Sequence, residues 1–119
     1  MVEQIRQKSA LDLPDVELIK TDYPESLRVF HTGDLLLRQG DFGDQLYILL
    51  KGRLDIINDL NQNRDIRLDE IGTIVGEIAG LNPNLARTRS VIAHGHVEVI
   101  ELFRNDISEW NWKSGQWSR

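Results

Sequence analysis

The chain predicts a mainly β domain, built as a sandwich or a closed barrel. Eight short apolar runs follow one another from Leu27 onward, separated by turn signals about every 8–12 residues. Several of these runs alternate with a period of two, as half-buried strands do. Helical patterning is confined to the two ends. A chain of 119 residues is long enough for one domain with a single core.

The first 25 residues read as helical or irregular. Val2 to Lys8 can make two turns, and Pro14-Asp15-Val16-Glu17 places Pro and acids where a helix starts. Pro24 closes that region. Leu27 to Phe30 and Leu35 to Arg38 then form short strands around His31-Thr32-Gly33-Asp34. A second turn cluster, Gln39 to Asp44, precedes an alternating run with Leu46, Ile48 and Leu50 on one face and Tyr47 and Leu49 on the other.

Lys51-Gly52 reads as a two-residue hairpin signal, after which Leu54 and Ile56 continue in phase. Asp59 to Arg64 is polar and expected as an exposed hairpin loop. Ile66, Leu68 and Ile71 mark the next strand, and Thr73-Ile74-Val75 another. Two last β-rich runs, Ser90 to Ala93 and Val97 to Phe103, flank His94-Gly95-His96, which reads as a hairpin tip. Asp106 to Trp112 allows barely two helical turns before Lys113-Ser114-Gly115.

Composition narrows the function classes. Hydrophobic residues at 40% and charged residues at 28% fit a soluble globular protein. No apolar run reaches the roughly 20 residues that span a bilayer, and no leader opens the chain; no membrane partner is expected. The absence of cysteine excludes disulfides and thiolate metal sites and is compatible with a cytoplasmic location. A net charge of −5, with scattered basic residues, argues against nucleic acid as a partner. The 16 residues after Phe103 leave no room here for a helix-turn-helix.

The most informative stretch runs from Gly76 to Val91, G-E-I-A-G-L-N-P-N-L-A-R-T-R-S-V. Gly76 and Glu77 stand ahead of Arg87 and Thr88, with a short apolar turn and Asn-Pro-Asn between. The stretch resembles the phosphate-binding cassette of cyclic nucleotide-binding domains, the sensor module of the catabolite activator protein and of cyclic-nucleotide-dependent kinases and channels. Phe30 to Ile57, with glycines at Gly33, Gly40, Gly43 and Gly52, is similar to the first half of that family. The resemblance covers about Leu27 to Phe103. It implies an eight-stranded antiparallel jelly roll, a double-stranded β-helix barrel, at residues 26–103, after an N-terminal helical segment at 1–25. Residues 104–119 would form a short C-terminal helix or tail, a curtailed lid.

The resemblance also implies a ligand, cAMP or cGMP, and a ligand-binding set of Gly76, Glu77, Ile78, Ala79, Arg87 and Thr88. An ionised Glu accepts from the ribose 2′-hydroxyl. Arg gives directional, charge-assisted bonds to phosphate oxygens. Ile78 and Ala79 would open a helical turn whose free amides face the phosphate. Gly76 permits close approach to the sugar. Thr88 would reach the phosphate or the amine of a syn guanine.

Two departures from the family stand out. Gly80 replaces a usual Leu and would loosen the helical turn. Arg89 replaces a small residue; if the strand alternates, it shares a face with Arg87 and either reinforces the anion site or crowds the purine.

The expected function is a non-catalytic cyclic nucleotide sensor, not an enzyme, with no cofactor or metal. It would regulate an effector in a larger parent protein or in trans, and a homodimer is one arrangement open to it. The Thr73 to Glu77 approach is similar to sensor domains appended to bacterial anion transporters. One alternative is a degenerate domain that pairs Glu77 with Arg87 internally and serves as an interaction module. A cupin-like metalloenzyme is the other, suggested by His94-x-His96-x-Glu98, but the cupin motif sets its Glu farther on and adds a third His. Trp110, Trp112 and Trp117 would cap the barrel beside Ile107, or one of them would stack on the purine.

Overall fold

The computed structural model describes residues 16–58, 63–107, 110–111 and 116–117. The expected helix at Val2 to Lys8, the residues Pro14 and Asp15 and most of the 59–64 loop lie outside them. Helix α1 (Val16–Asp22) and a 3-10 turn (Pro24–Ser26) lead into strands β1 (Leu27–Phe30) and β2 (Leu35–Leu37). Strands β3 (Gln45–Asn58), β4 (Asn63–Leu68) and β5 (Ile74–Val75) precede a short helix α2 (Glu77–Leu81). Strand β6 (Ser90–Phe103) and helix α3 (Arg104–Ile107) follow, then a small hairpin of β7 (Trp110–Asn111) and β8 (Gln116–Trp117).

All strand pairings are antiparallel, as a jelly roll requires. The main sheet runs β1-β6-β3-β4, with β2 also on β6 and β5 also on β3. Among the described residues no pairing joins β4 back to β1, so the roll is open rather than a closed barrel. Six strands build it, where eight were expected, because two pairs of expected strands are each continuous.

Lys51-Gly52 is not a hairpin, and His94-Gly95-His96 is not a hairpin tip. Both lie inside 14-residue strands, and they face each other: register runs Leu49↔Val99, Lys51↔Glu98, then Arg53↔His94, with shifts between these pairs. Gly52 (φ 93) and Gly95 (φ 77) adopt the left-handed backbone that a turn would also use. Here that freedom bends two paired strands together.

The irregularity on β3 also reverses its phase. Tyr47 and Leu49 point into the main core, and so do Leu54 and, packed against it, Ile56. The expected continuation of Leu46, Ile48 and Leu50 into Leu54 and Ile56 therefore fails, since one extra residue moves every later side chain to the other face. Strand β6 keeps its phase, with Val91, Ala93, Val97 and Val99 all facing inward.

A second cluster covers the outer face, where Leu46, Ile48, Ile100 and Leu102 pack beneath Ile19 of α1 and Tyr23. The alternation of residues 46–50 thus feeds two cores at once. At the C-terminal end, the helix expected over Asp106 to Trp112 is instead α3 followed by the β7–β8 hairpin. Trp110 and Trp117 sit opposite each other there, in line with the strand preference of aromatic residues. The side chains of the three tryptophans and of Ile107 lie outside the described residues.

Gly52→Ala tests the bend. An added Cβ would collide with the backbone carbonyl of His96 and lie 3.1 Å from the Val97 Cα, at a φ that L side chains avoid. We expect a loss of about 2–4 kcal/mol in denaturant unfolding, against about 1–2 kcal/mol for Gly95→Ala, whose Cβ would meet open space but whose φ of 77 carries the same backbone strain.

Candidate functional site

The stretch from Gly76 to Val91 curls around a cavity of about 380 Å³, within the range of roughly 300–1,000 Å³ usual for small-molecule sites. Every residue of the expected ligand-binding set lines it, with Arg89: Gly76, Glu77, Ile78 and Ala79 from the start of α2, and Arg87, Thr88 and Arg89 from the approach to β6. Gly76 is the N-cap of α2, at φ 85, with no side-chain cap. The Gly80 N–H donates to the Gly76 carbonyl at 2.8 Å, closing the first helical turn. The amides ahead of it have no intrahelical acceptor.

Arg87 is the centre of the site. It is only 6% exposed. One terminal nitrogen donates to the Gly76 carbonyl at 2.8 Å, and the other to the Gln45 carbonyl at 2.9 Å and to Gln45 Oε1 at 3.3 Å. Its backbone is tied to the loop before β3: Arg87 N–H donates to the Asp41 carbonyl and Gly40 N–H to the Arg87 carbonyl, both at 2.8 Å.

Among the described residues no carboxylate pairs directly with this guanidinium. Burial pulls its pKa below the ordinary value, and the charge fields of Tyr47, Asp44 and Asp41 oppose that shift; an arginine stays cationic regardless. Two glycines make room for it. A Cβ on Gly43 would lie 2.9 Å from one terminal nitrogen, and a Cβ on Gly76 would lie 2.9 Å from the other.

The Arg87 guanidinium donates to the Gly76 and Gln45 oxygens, and among the described residues no ion pair joins it to Glu77, the pairing that the degenerate alternative expects. Glu77 is half-buried, Ala79 buried and Ile78 exposed at the rim. Thr88 and Arg89 are exposed and lie in a bend, so the expected strand alternation does not begin until Ser90. Arg87 is buried whereas Arg89 is exposed, its guanidinium donating to the Thr88 carbonyl at 2.8 Å.

Gly80 does not loosen α2 but docks it: a Cβ there would lie 2.8 Å from the Gln45 carbonyl oxygen, so only glycine lets the helix approach β3 this closely. Arg104 secures the far end by donating from Nε to the Gly80 carbonyl at 3.0 Å.

Sequence reasoning missed Gln45, whose contact with Arg87 crosses 42 positions and leaves no local signal. It also missed the apolar wall of Ile56, Ile66 and Val91. Val91 was readable, since it stands two residues past Arg89 on a strand; Ile56 was not, because of the phase reversal on β3. Behind Arg87, the Tyr47 hydroxyl donates to Glu101 Oε2 at 2.8 Å, and Arg28 holds the other Glu101 oxygen at 3.2 Å.

The histidines do not converge on a metal. His94 Nδ1 lies 3.5 Å from Asp55 Oδ2, whereas His96 Nε2 lies 2.9 Å from Glu98 Oε2 and holds that carboxyl below its usual range. Among the described residues no group of three or more His, Cys, Asp or Glu could hold a metal ion. None of their helices is long and apolar enough to cross a membrane.

Comparison with known proteins places the chain in a family. The family model of the cyclic nucleotide-binding domain matches residues 27–110. A cyclic nucleotide-gated channel of Caenorhabditis elegans is 33% identical over 90 residues, covering 71% of this chain and 12% of the channel. The regulatory domain of Toxoplasma gondii PKA, solved with cAMP, superposes with a TM-score of 0.61 at 30% identity, covering 71% of this chain and 34% of that one. The regulatory subunit of a cAMP-independent protein kinase A from Trypanosoma brucei gives 0.62 at 30% identity, covering 88% and 38%. This chain therefore spans less than two fifths of the length of each of these three relatives.

Tyr47 offers a test of the network behind the site. Burial, and then its bond to Glu101, push its pKa from 10.0 up to about 12. A raised pKa stabilises the fold fully below pH 10 and loses that contribution as pH rises to about 12. Equilibrium unfolding should show an alkaline loss over that window, and Tyr47→Phe should flatten it. An unchanged pH profile in the variant would place the titration elsewhere.

Proposed function

The chain belongs to the cyclic nucleotide-binding domain family, and on that premise we propose that it is a non-catalytic sensor of cAMP or cGMP, bound in the cavity between α2 and β6. The carrying observation is Arg87, a buried cation that among the described residues is met by neutral oxygens. A buried charge of this kind is costly without an opposite charge beside it, and an anionic ligand in the adjoining cavity supplies one.

A cyclic nucleotide carries one phosphodiester charge, a free 2′-hydroxyl and a flat purine. Arg87 and the open amides at the start of α2 suit the phosphate. Glu77, at the first position of that helix, suits the hydroxyl donor. The wall of Ile56, Ile66 and Val91 suits the purine face. Gly76, Ile78 and Ala79 contribute backbone and shape, and Thr88 a hydroxyl at the phosphate side. No cofactor or metal enters this reading.

As a sensor the domain would act through differential affinity, the ligand favouring the state in which the cassette closes on it. Its effector lies in a parent protein or a partner subunit. We place the sensing body at residues 26–103, with 1–25 and 104–119 as flanking segments that carry the change outward, and assign it to the cytoplasm. A second reading, an interaction module that ignores cyclic nucleotides, is favoured by the likeness to a kinase regulatory subunit described as cAMP-independent.

Calorimetric titration with cAMP and with cGMP separates the two. Binding of either by the unaltered chain supports the sensor, and binding of neither supports the module. Arg87→Ala should weaken binding by about 3–5 kcal/mol, the usual result of deleting one partner of a buried charge pair. An unaltered dissociation constant would mean that the phosphate is held elsewhere.

A further inference from the structure

Resting on the reading that the cavity takes the phosphate of a cyclic nucleotide, we propose that Gln45 sets the affinity for that anion by staying neutral beside Arg87. Gln45 is half-buried at the start of β3 and does not line the cavity. It acts through the guanidinium rather than by touching the ligand. One terminal nitrogen of Arg87 donates to this residue alone, to its backbone carbonyl at 2.9 Å and its Oε1 at 3.3 Å. Gly43 makes room for the meeting: a Cβ there would lie 2.6 Å from Gln45 Oε1 and 2.9 Å from that nitrogen.

A glutamate has the same length and would set a carboxylate oxygen where Oε1 stands. It would close a charge pair with Arg87 and weaken the pull of the cavity on an anion. The amide accepts the hydrogen bond and leaves the charge uncancelled. The groups behind it keep the same separation. The Tyr47 hydroxyl donates to Glu101 Oε2 at 2.8 Å, and Arg28 holds the other Glu101 oxygen at 3.2 Å. A hydrogen bond from the Gln45 side chain works against the rise in the Tyr47 pKa, as a donor to the phenol oxygen does. The order is therefore guanidinium, amide, phenol, carboxylate, guanidinium. Glu101 is matched with Arg28, and two neutral groups stand between it and Arg87. Asp41 and Asp44 add their fields from exposed positions, without an ion pair to Arg87.

The test compares Gln45→Glu with Gln45→Met on the whole chain, by calorimetry with cAMP and with cGMP and by equilibrium unfolding without ligand. Both substitutions keep the backbone carbonyl and lose the amide donor toward Tyr47, so the difference between them isolates the carboxylate. Gln45→Met should bind within roughly tenfold of the unaltered protein. Gln45→Glu should bind about tenfold to a thousandfold more weakly than Gln45→Met, yet resist denaturant better than it, because its carboxylate pairs with the buried cation. A purely structural role would move affinity and stability in the same direction. Equal affinities in the two variants, whether both are intact or both reduced, would show that charge at this position does not govern binding and would overturn the proposal. A Gln45→Glu variant less stable than Gln45→Met would show that no pair forms, and would also overturn it. Binding of neither nucleotide by the unaltered protein would instead defeat the sensor reading, and this proposal with it.

Discussion

One guanidinium holds the candidate site together. Arg87 takes oxygens from Gly76 and Gln45 with its side chain and from Asp41 with its backbone N–H, and returns its own carbonyl to Gly40. The loop before β3, the N-cap of α2 and the approach to β6 therefore meet at a single residue. Removing a cation from water costs several kcal/mol even after relaxation. The surrounding dipoles offset part of that cost only if they sit at hydrogen-bond distance. The glycines at 43 and 76 are what allow this distance, since a methyl group at either would occupy the space of a terminal nitrogen.

The wall of the cavity depends on a different constraint. Strands β3 and β6 bend together where Gly52 faces the Gly95 region, and the extra residue on β3 reverses its phase. Ile56 is thereby turned toward the core and the cavity, while its neighbour Asp55 faces Arg67, at 2.9 Å, and His94. Without the reversal a carboxylate would enter an apolar wall and an isoleucine would take its place among charged groups. The glycine in the bend thus decides which chemistry faces a ligand, at a position that does not itself line the cavity.

Close backbone approach governs the third part, helix α2. Gly80 lies against the Gln45 carbonyl, the same group that receives a bond from Arg87. Arg104, the first residue of α3, reaches the Gly80 carbonyl through its side chain, and its N–H donates to the Asp44 carbonyl at 2.8 Å. The cassette helix and the beginning of the C-terminal segment consequently share one anchor on residues 44–45 and 80, beside the buried cation.

Much of this was legible from residue order alone. The Gly-Glu and Arg-Thr pairs around an Asn-Pro-Asn turn marked the cassette, and every residue of the expected ligand-binding set lines one cavity. The alternation of Leu46, Tyr47, Ile48 and Leu49 sorted those side chains onto the faces that become the two cores. Such features are legible because they are local: period, turn chemistry and side-chain type act within a few residues. What a glycine at positive φ does is not local. The same backbone conformation serves a hairpin or a bulge, and only the partner strand, more than 40 positions away in the Arg53↔His94 pairing, decided that Gly52 bends β3 instead of ending it. Tertiary packing likewise assigned Gln45 to Arg87 and made Gly80 a contact point, because each depends on how closely two distant backbones approach, a distance that no spacing along the chain encodes.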